Sequence, residues 1–559
     1  MTQQASHAAT NGPTSTYEVE TIADTNYPIP TGALYVSNAG ADTNPGSLAA
    51  PFATITKALA VVPAGGTIVV RGGVYRGALG AIKRKVTIQA YPHEQVWVKG
   101  SVVATSFTQG ASDWTTPYTA SLCDNCYPAQ ELAPGYPAAG LPEQVFVDGA
   151  PLKQVTSAGA LATGTFYVDH ANHQIDLFDD PTGHTVEVTV LASAFTMSSA
   201  AAGTTIRGLG FEHFGPVFQS GTNVAAMVSA ANVTFDSDTF AWSAGRFLGI
   251  YGNNNVVTNS KFLDNGLNGL TGNKISGLDF ENNEVAYSNY EHWDITPSPY
   301  AQIGGVKLTG VAYTVMRGND FHDNFANGLW FDCQSHDQTI VDNLIENNAG
   351  HGLADEISAN SIIAGNVIAE NGRDGLKISG SNNVEVWNNT SVDNGWAQIG
   401  VYEDPRHSST NVATEDTTNV RIENNIFEAG ANATKYVFYN MDISNPKHLT
   451  LTQMVSADDH NDFGRTSTAN PKFEFQTQAT LKAGAHYLTL AAFVTASGRE
   501  KSSTSTDGMS LQSIFTNPDA GDYSVQASVL PQLAAPAVLP TAVAAAMNLT
   551  STPAVIGAT

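Results

Sequence analysis

Repeating units of about 23 residues, asparagine and glycine corners between them, and short strands of alternating outline together predict an all-β chain. The class is a single-stranded right-handed parallel β-helix with an N-terminal cap and an inserted small β-module. The rhythm is clearest from Ala231 to Ala429, where Asn319, Asn343, Asn366 and Asn388 follow one another at spacings of 24, 23 and 22. A second asparagine recurs at Asn265, Asn289, Asn324, Asn348, Asn371 and Asn394. Asparagine tolerates left-handed backbone and can hydrogen-bond to its own kind along a stack, so each unit reads as one coil closed by turns.

Taken in order, residues 1–30 form a polar N-terminal extension and residues 31–140 hold the cap and the first coils. Within them Leu34-Tyr-Val36, Pro51-Phe-Ala-Thr-Ile-Thr-Lys-Ala-Leu59 and Gly66-Thr-Ile-Val-Val70 read as strand, amphipathic helix and strand. A cap is expected, because an open stack end exposes unpaired backbone and core side chains. In 141–192 the rhythm stops, and Gln144–Gly149, Gly164–Asp169 and Gln174–Phe178 alternate like antiparallel strands, marking the inserted module. Coils carrying a cleft near residues 290 to 410 fill 193–530, with Asp459–Phe463 and Ser513–Tyr523 read as the last. An Ala/Pro-rich tail occupies 531–559. The intervals 282–319 and 388–424 are long enough to contain loop insertions.

Bulk composition narrows the function. There are 25 Lys+Arg against 51 Asp+Glu, a formal charge of −26, and counterion release from nucleic acid needs clustered basic residues. Nucleic acid and strongly polyanionic substrates are therefore disfavoured, and neutral sugars fit better. No apolar run reaches the ~20 residues that span a bilayer, so no membrane partner is expected. The start lacks a charged and apolar leader, yet the composition is that of a protein working outside the cell or at its surface. Cys123 and Cys126 form a lone C-x-x-C, read as a local disulfide or two inert thiols, since no further zinc ligands accompany them. Cys333 reads as an ordinary wall residue.

The strands after each corner are Gly305-Val-Lys-Leu-Thr309, Gly328-Leu-Trp-Phe-Asp332, Gly352-Leu-Ala-Asp-Glu356, Gly375-Leu-Lys-Ile-Ser379 and Gly400-Val-Tyr-Glu-Asp404. Alternation sends Leu329/Phe331 and Leu376/Ile378 inward. One outward column is then Lys307, Trp330, Ala354, Lys377 and Tyr402; the next is Thr309, Asp332, Glu356, Ser379 and Asp404. Asp332 and Glu356 thus sit on successive coils, ~4.8 Å apart in backbone. Carboxyls separated by about 5 Å suit retaining glycoside cleavage, in which one attacks the anomeric carbon and the other protonates the leaving oxygen. Trp330 and Tyr402 can stack on sugar rings, while Lys307 and Lys377 can bind hydroxyls or tune the acids. Asp404 and His292 complete the substrate-binding candidates, His292 with Trp293 and Asp294 in the insertion before Lys307.

Two resemblances accompany this reading. The Leu34–Tyr75 run resembles the opening of bacterial pectin-lyase-like β-helix proteins. The stretch Gly328-Leu-Trp-Phe-Asp332, with Glu356-Ile-Ser358 one coil on, resembles the active-site coils of glycoside hydrolase family 120; the layout is also similar to family 141. The family 120 resemblance implies Asp332 as nucleophile and Glu356 as acid/base. Asp355 departs from the family pattern, which has an aromatic residue there. Its parity is inward, so it is either a buried acid or, on a bulged coil, a cleft residue.

Two other functions fit the same fold. A polysaccharide lyase or C5-epimerase would use Lys307 or Lys377 with Arg317 or Arg373, and Ca²⁺ could be held by acids such as Asp320 and Asp323, although no calcium motif is present. A non-catalytic carbohydrate-binding β-helix is the third possibility. His322, His336 and His351 read as corner residues, the last two near the same site. The hydrolase requires no cofactor, its partner is an oligo- or polysaccharide, and oligomeric state is open.

Overall fold

The computed structural model describes residues 20–120, 122, 132–217, 224–293, 303–403, 416–431, 435–443, 448–467, 470–478, 484–550 and 553–558. Cys123, Cys126, Asp294 and Asp404 lie outside these described residues. The fold is a right-handed parallel β-helix, and it divides into two compact units: 17–272 with 286–305, and 1–16 with 273–285 and 306–559.

In the first unit the strands Leu34–Val36, Thr67–Val70, Thr87–Ala90, Thr205–Arg207, Thr234–Asp236 and Val256–Thr258 stack in parallel, one per coil. The helix Ile55–Val61 lies against the first two, its end capped by Thr54 Oγ1 accepting from Lys57 N at 3.1 Å. Inside the coils the aromatic rings repeat in register: Phe211 stacks on Phe240 and Phe240 on Phe262, with centroids 5.6 and 5.0 Å apart. The inserted module takes in more chain than 141–192. Ser101–Ala104 pairs antiparallel with Val186–Thr189, and Trp114–Pro117 with Gln174–Leu177. Residues 101–117 thus belong to its sheets, which close over Val145, Phe166, Ile175 and Val188. Their alternation is too brief to stand out in the sequence.

In the second unit one buried asparagine per coil carries the stack. Asn343 donates from its backbone N and from Nδ2 to Asn366 Oδ1, at 3.0 and 2.9 Å, and Asn366 does the same to Asn389. The ladder runs Asn283, Asn319, Asn343, Asn366, Asn389, Asn425 and Asn461. The step 366–389 uses Asn389 rather than Asn388. Asn388 occupies the preceding left-handed corner (φ 52°), where other coils place Gly318, Asp342, Gly365 and Asn424. Those residue types tolerate positive φ, whereas the ladder needs a side-chain amide with all its partners satisfied. A second ladder runs Asn324, Asn348, Asn371 and Asn394.

The last coil of this unit contains Val455–Asp459 and Asp462–Arg465. Ser513–Tyr523 is not a coil. Phe515–Asn517 and Asp522–Val525 pair antiparallel, and Phe515 and Tyr523 pack on the outward Ala369, Val392 and Ile426. The segment after Pro531 is likewise fastened: Leu539, Val543 and Met547 cover Val341, Ala364 and Trp387, with the helix Thr541–Ala546 supplying Val543. Apolar residues on the outside of these coils require such a cover.

Candidate active site

Five strands of the second unit, Asn327–Asp332, Leu353–Glu356, Leu376–Ser379, Ala397–Glu403 and Tyr436–Asp442, pair in parallel. Leu329, Leu353 and Leu376 are partners, as are Trp330, Ala354 and Lys377, so the next outward position carries Asp332, Glu356 and Ser379. Two steps later the register departs from the alternation read above. Lys377 pairs with Gly400 and Ser379 with Tyr402, which moves Tyr402 into the carboxylate column. The strand begins at Ala397, so its corner is the Asn394-Gly395 turn and Gly400 lies mid-strand. The glycine makes room for the Tyr402 ring: a Cβ there would stand 2.7 Å from its hydroxyl oxygen. The phenol donates to the Asp374 carboxylate at 3.0 Å.

Each carboxylate of the pair is held by a lysine. Lys307 Nζ donates to Asp332 Oδ2 at 2.6 Å, and the Cys333 N–H donates to Asp332 Oδ1 at 2.8 Å. Lys307 is buried beneath Trp330, its ammonium 2.8 Å from the ring centroid. Burial pulls its pKa down, while the Asp332 charge opposes that shift. Lys377 ion-pairs with Glu356 Oε1, and Trp330 Nε1 donates to Glu356 Oε2 at 3.0 Å. The two acids differ in access, with 15 % of the Asp332 side chain exposed against 3 % for Glu356. Cys333 and Ile357, the residues directly after them, have φ of 46° and 47°, at the corner where neighbouring coils have Gly310 and Gly380. Positive φ is costly for a β-branched residue such as Ile357, so backbone strain sits beside the acids.

Other candidates fall elsewhere. Asp355 pairs with Phe331 and Ile378 and is fully buried with them, so it does not line the outward face. No bulge interrupts the pairing. Burial pushes its pKa up to about 7. Lys307 is spent on Asp332 inside the wall and positions that acid instead of reaching a sugar. His292 belongs to the other unit, where it stacks on Tyr136 at 4.1 Å. Of the four basic residues named for proton abstraction, Lys307 and Lys377 are paired with carboxylates, and Arg317 lies on the separate sheet strand Val315–Arg317 beside Glu281 and Asp342. Among the described residues, Arg373 alone of the four opens on a cleft without such a partner. Asp320 and Asp323 flank His322, whose Nδ1 is 2.8 Å from Asp323 Oδ2. Among the described residues no group of three or more His, Cys, Asp or Glu side chains is placed to hold a metal. Burial and the Asp332 charge push the Cys333 thiol up to about 12, which leaves it inert.

The cleft has a volume of about 660 Å³ and is lined by His351, Arg373, Asp374, Lys377, Trp396, Tyr402 and Tyr439, among others. His351 Nδ1 lies 3.2 Å from Asp374 Oδ2 and 3.3 Å from the Asp374 amide nitrogen. Asp374, Trp396 and Tyr439 carry no signal in the repeat pattern. Trp396 directly follows an Asn-Gly corner, and an aromatic residue at that place is the one sequence cue.

The right-handed β-helix region model matches residues 223–390 and 305–448, and residues 38–88 match a family described as protein of unknown function (DUF1565). No curated protein matches the chain. Among solved structures, XylC in complex with xylose is 16 % identical with a TM-score of 0.60, covering 79 % of this chain and 85 % of that one. A glycoside hydrolase is 12 % identical, TM-score 0.44, covering 67 % and 95 %. The mannuronan C-5 epimerase AlgE4 A-module of Azotobacter vinelandii is 16 % identical, TM-score 0.41, covering 67 % and 82 %. The likeness to XylC shows the fold. Among the described residues no helix is long and apolar enough to cross a membrane.

Proposed function

We propose that the protein is a retaining glycoside hydrolase acting on an oligo- or polysaccharide. The observation that carries this reading is the pair of outward carboxylates on successive coils, each anchored by a lysine, with Asp332 the more exposed. Asp332 attacks the anomeric carbon as the bond to the leaving oxygen breaks, and Glu356 gives that oxygen a proton. Water, deprotonated by Glu356, then displaces Asp332 from the sugar. Lys377 and the Trp330 indole N–H hold the Glu356 carboxyl on the same outward face as Asp332. Lys307 and the Cys333 N–H hold Asp332 in one orientation, which lowers the cost of reaching an in-line geometry. The likeness to XylC, whose structure holds xylose, supports a sugar as substrate. This activity goes with a place outside the cell or at its surface, and it calls on no cofactor.

The test is a screen of wild type and Asp332→Asn on aryl glycosides and polysaccharides, with reducing ends and unsaturated-product absorbance read together. Reducing ends without absorbance, lost in the variant, are the expected result. Absorbance from a new C=C bond, or turnover unchanged by the substitution, overturns the proposal in favour of a lyase or of another site.

A further inference from the structure

The cleft next to Glu356 holds a cation that no carboxylate among the described residues pairs with. Arg373 is half-buried in the 371–374 corner, and among the described residues its guanidinium has no carboxylate or carbonyl partner. The other cation lining the cleft, Lys377, is paired with Glu356. Three acids reach the same space, and each of them is engaged within the fold. Glu370 accepts from the Tyr523 hydroxyl at 3.1 Å, and Asp374 accepts from Tyr402 and lies beside His351. The third, Asp393, lies against Gly430.

Around Arg373 the walls are aromatic. The Trp396 backbone N–H donates to Arg373 O at 3.1 Å, which seats the indole beside the arginine on the next coil. Trp396 as a residue is 37 % exposed, and its ring meets Tyr439 edge-on at 6.2 Å and has the Lys435 ammonium 5.0 Å from its centroid. A part-exposed ring with one cation over it and a second lining the same cleft, in a space of small-molecule size, suits a sugar ring bearing a negative charge. Arginine recognises a carboxylate through two parallel N–H bonds that the opposite charges strengthen, and a neutral sugar lacks that charge.

The coil order settles which side of the reaction this is. Asp332, Glu356, Ser379 and Tyr402 follow one another across successive coils, so Glu356 stands between the nucleophile and the cleft. The acid that protonates the leaving oxygen faces the leaving group. We propose that the cleft is the leaving-group subsite and that it takes a uronic acid, its ring against Trp396 and its carboxylate on Arg373. The assignment to the leaving-group side rests on the hydrolase reading; the recognition of a uronate does not.

Calorimetric titration of the wild type with methyl glucuronide and methyl galacturonide, each beside its neutral methyl glucoside or galactoside, tests this directly. At least one uronide is expected to bind about tenfold or more tighter than its neutral counterpart, as charge-assisted hydrogen bonds imply. Arg373→Met should abolish that difference, and Trp396→Ala should weaken the uronide. Equal affinities in the wild type, or a preference that survives Arg373→Met, overturn the subsite. Hydrolysis without uronide preference refutes the subsite alone. Uronide preference with no hydrolysis of any glycoside refutes the hydrolase reading and leaves the uronate site standing.

Discussion

Replacing Glu356 by glutamine removes a proton donor while keeping the shape of the wall. The side chain is almost enclosed, with Trp330 Nε1 3.0 Å from Oε2 and Lys377 on Oε1. A glutamine oxygen can still accept from the indole. The Lys377 ammonium loses its counter-ion but is 18 % exposed and can turn to water, so the fold should lose no more than about 1–2 kcal/mol. The chemistry should lose far more. A positioned general acid contributes roughly 10²–10⁴ in rate, or about 2.7–5.4 kcal/mol at 1.36 kcal/mol per decade. That loss must depend on the leaving group, since a dinitrophenolate departs without a proton and an alkoxide does not. Single-turnover rates on a dinitrophenyl and an alkyl glycoside of the same sugar should therefore diverge in Glu356→Gln, with the alkyl glycoside losing at least a hundredfold more. Added azide should restore turnover on the dinitrophenyl substrate and give a glycosyl azide of retained configuration. An equal loss on both leaving groups, or turnover within about threefold of wild type on the alkyl glycoside, would show that Glu356 is not the acid.

Two further outcomes follow from groups inside the coils. Asp355 has a folded pKa raised from 3.8 to about 7, so the proton it holds stabilises the fold below pH 4, and that contribution is lost as pH rises toward and through 7. Wild-type thermal stability should accordingly fall between pH 4 and 8 relative to Asp355→Asn, by an amount on the order of a few kcal/mol, and parallel melting curves across that range would show that the acid is not buried as described. Asn366→Ala removes an amide that links three coils through Asn343, Ile340 O and Asn389; a loss of about 2–4 kcal/mol is expected in denaturant unfolding, with amide exchange accelerating first in residues 340–390.

Much of this architecture is legible in one dimension because a parallel coil repeats its environment. Every coil needs a left-handed corner and an amide ladder, so glycine, aspartate and asparagine recur at nearly constant spacing. Where two asparagines adjoin, at 388–389, the same letters serve both needs, and spacing alone picks the wrong one for the ladder. Alternation along strands as short as Leu353–Glu356 is enough to put Asp332 and Glu356 on the outside and Asp355 in the core. It fails at Tyr402, because Ala397–Glu403 is longer than the strands of the coils before it and Gly400 serves the tyrosine ring instead of a corner.

The chain order alone determined the coil, its period, the inward and outward sets and the adjacency of the two acids, since each follows from strand pleat and corner chemistry acting over a few residues. Only the tertiary structure decided which lysine meets which carboxylate, that Lys307 is sealed under Trp330, and that Arg373, Trp396 and Tyr439 share one cleft with Tyr402. It likewise decided that Phe515, Tyr523, Leu539, Val543 and Met547 cover the apolar outer face of the coils. The reason is physical. Side-chain direction along a strand is set locally, whereas pairing of charges, shelter from water and the closing of a cleft depend on neighbours 20 to 170 residues away, brought near only by stacking.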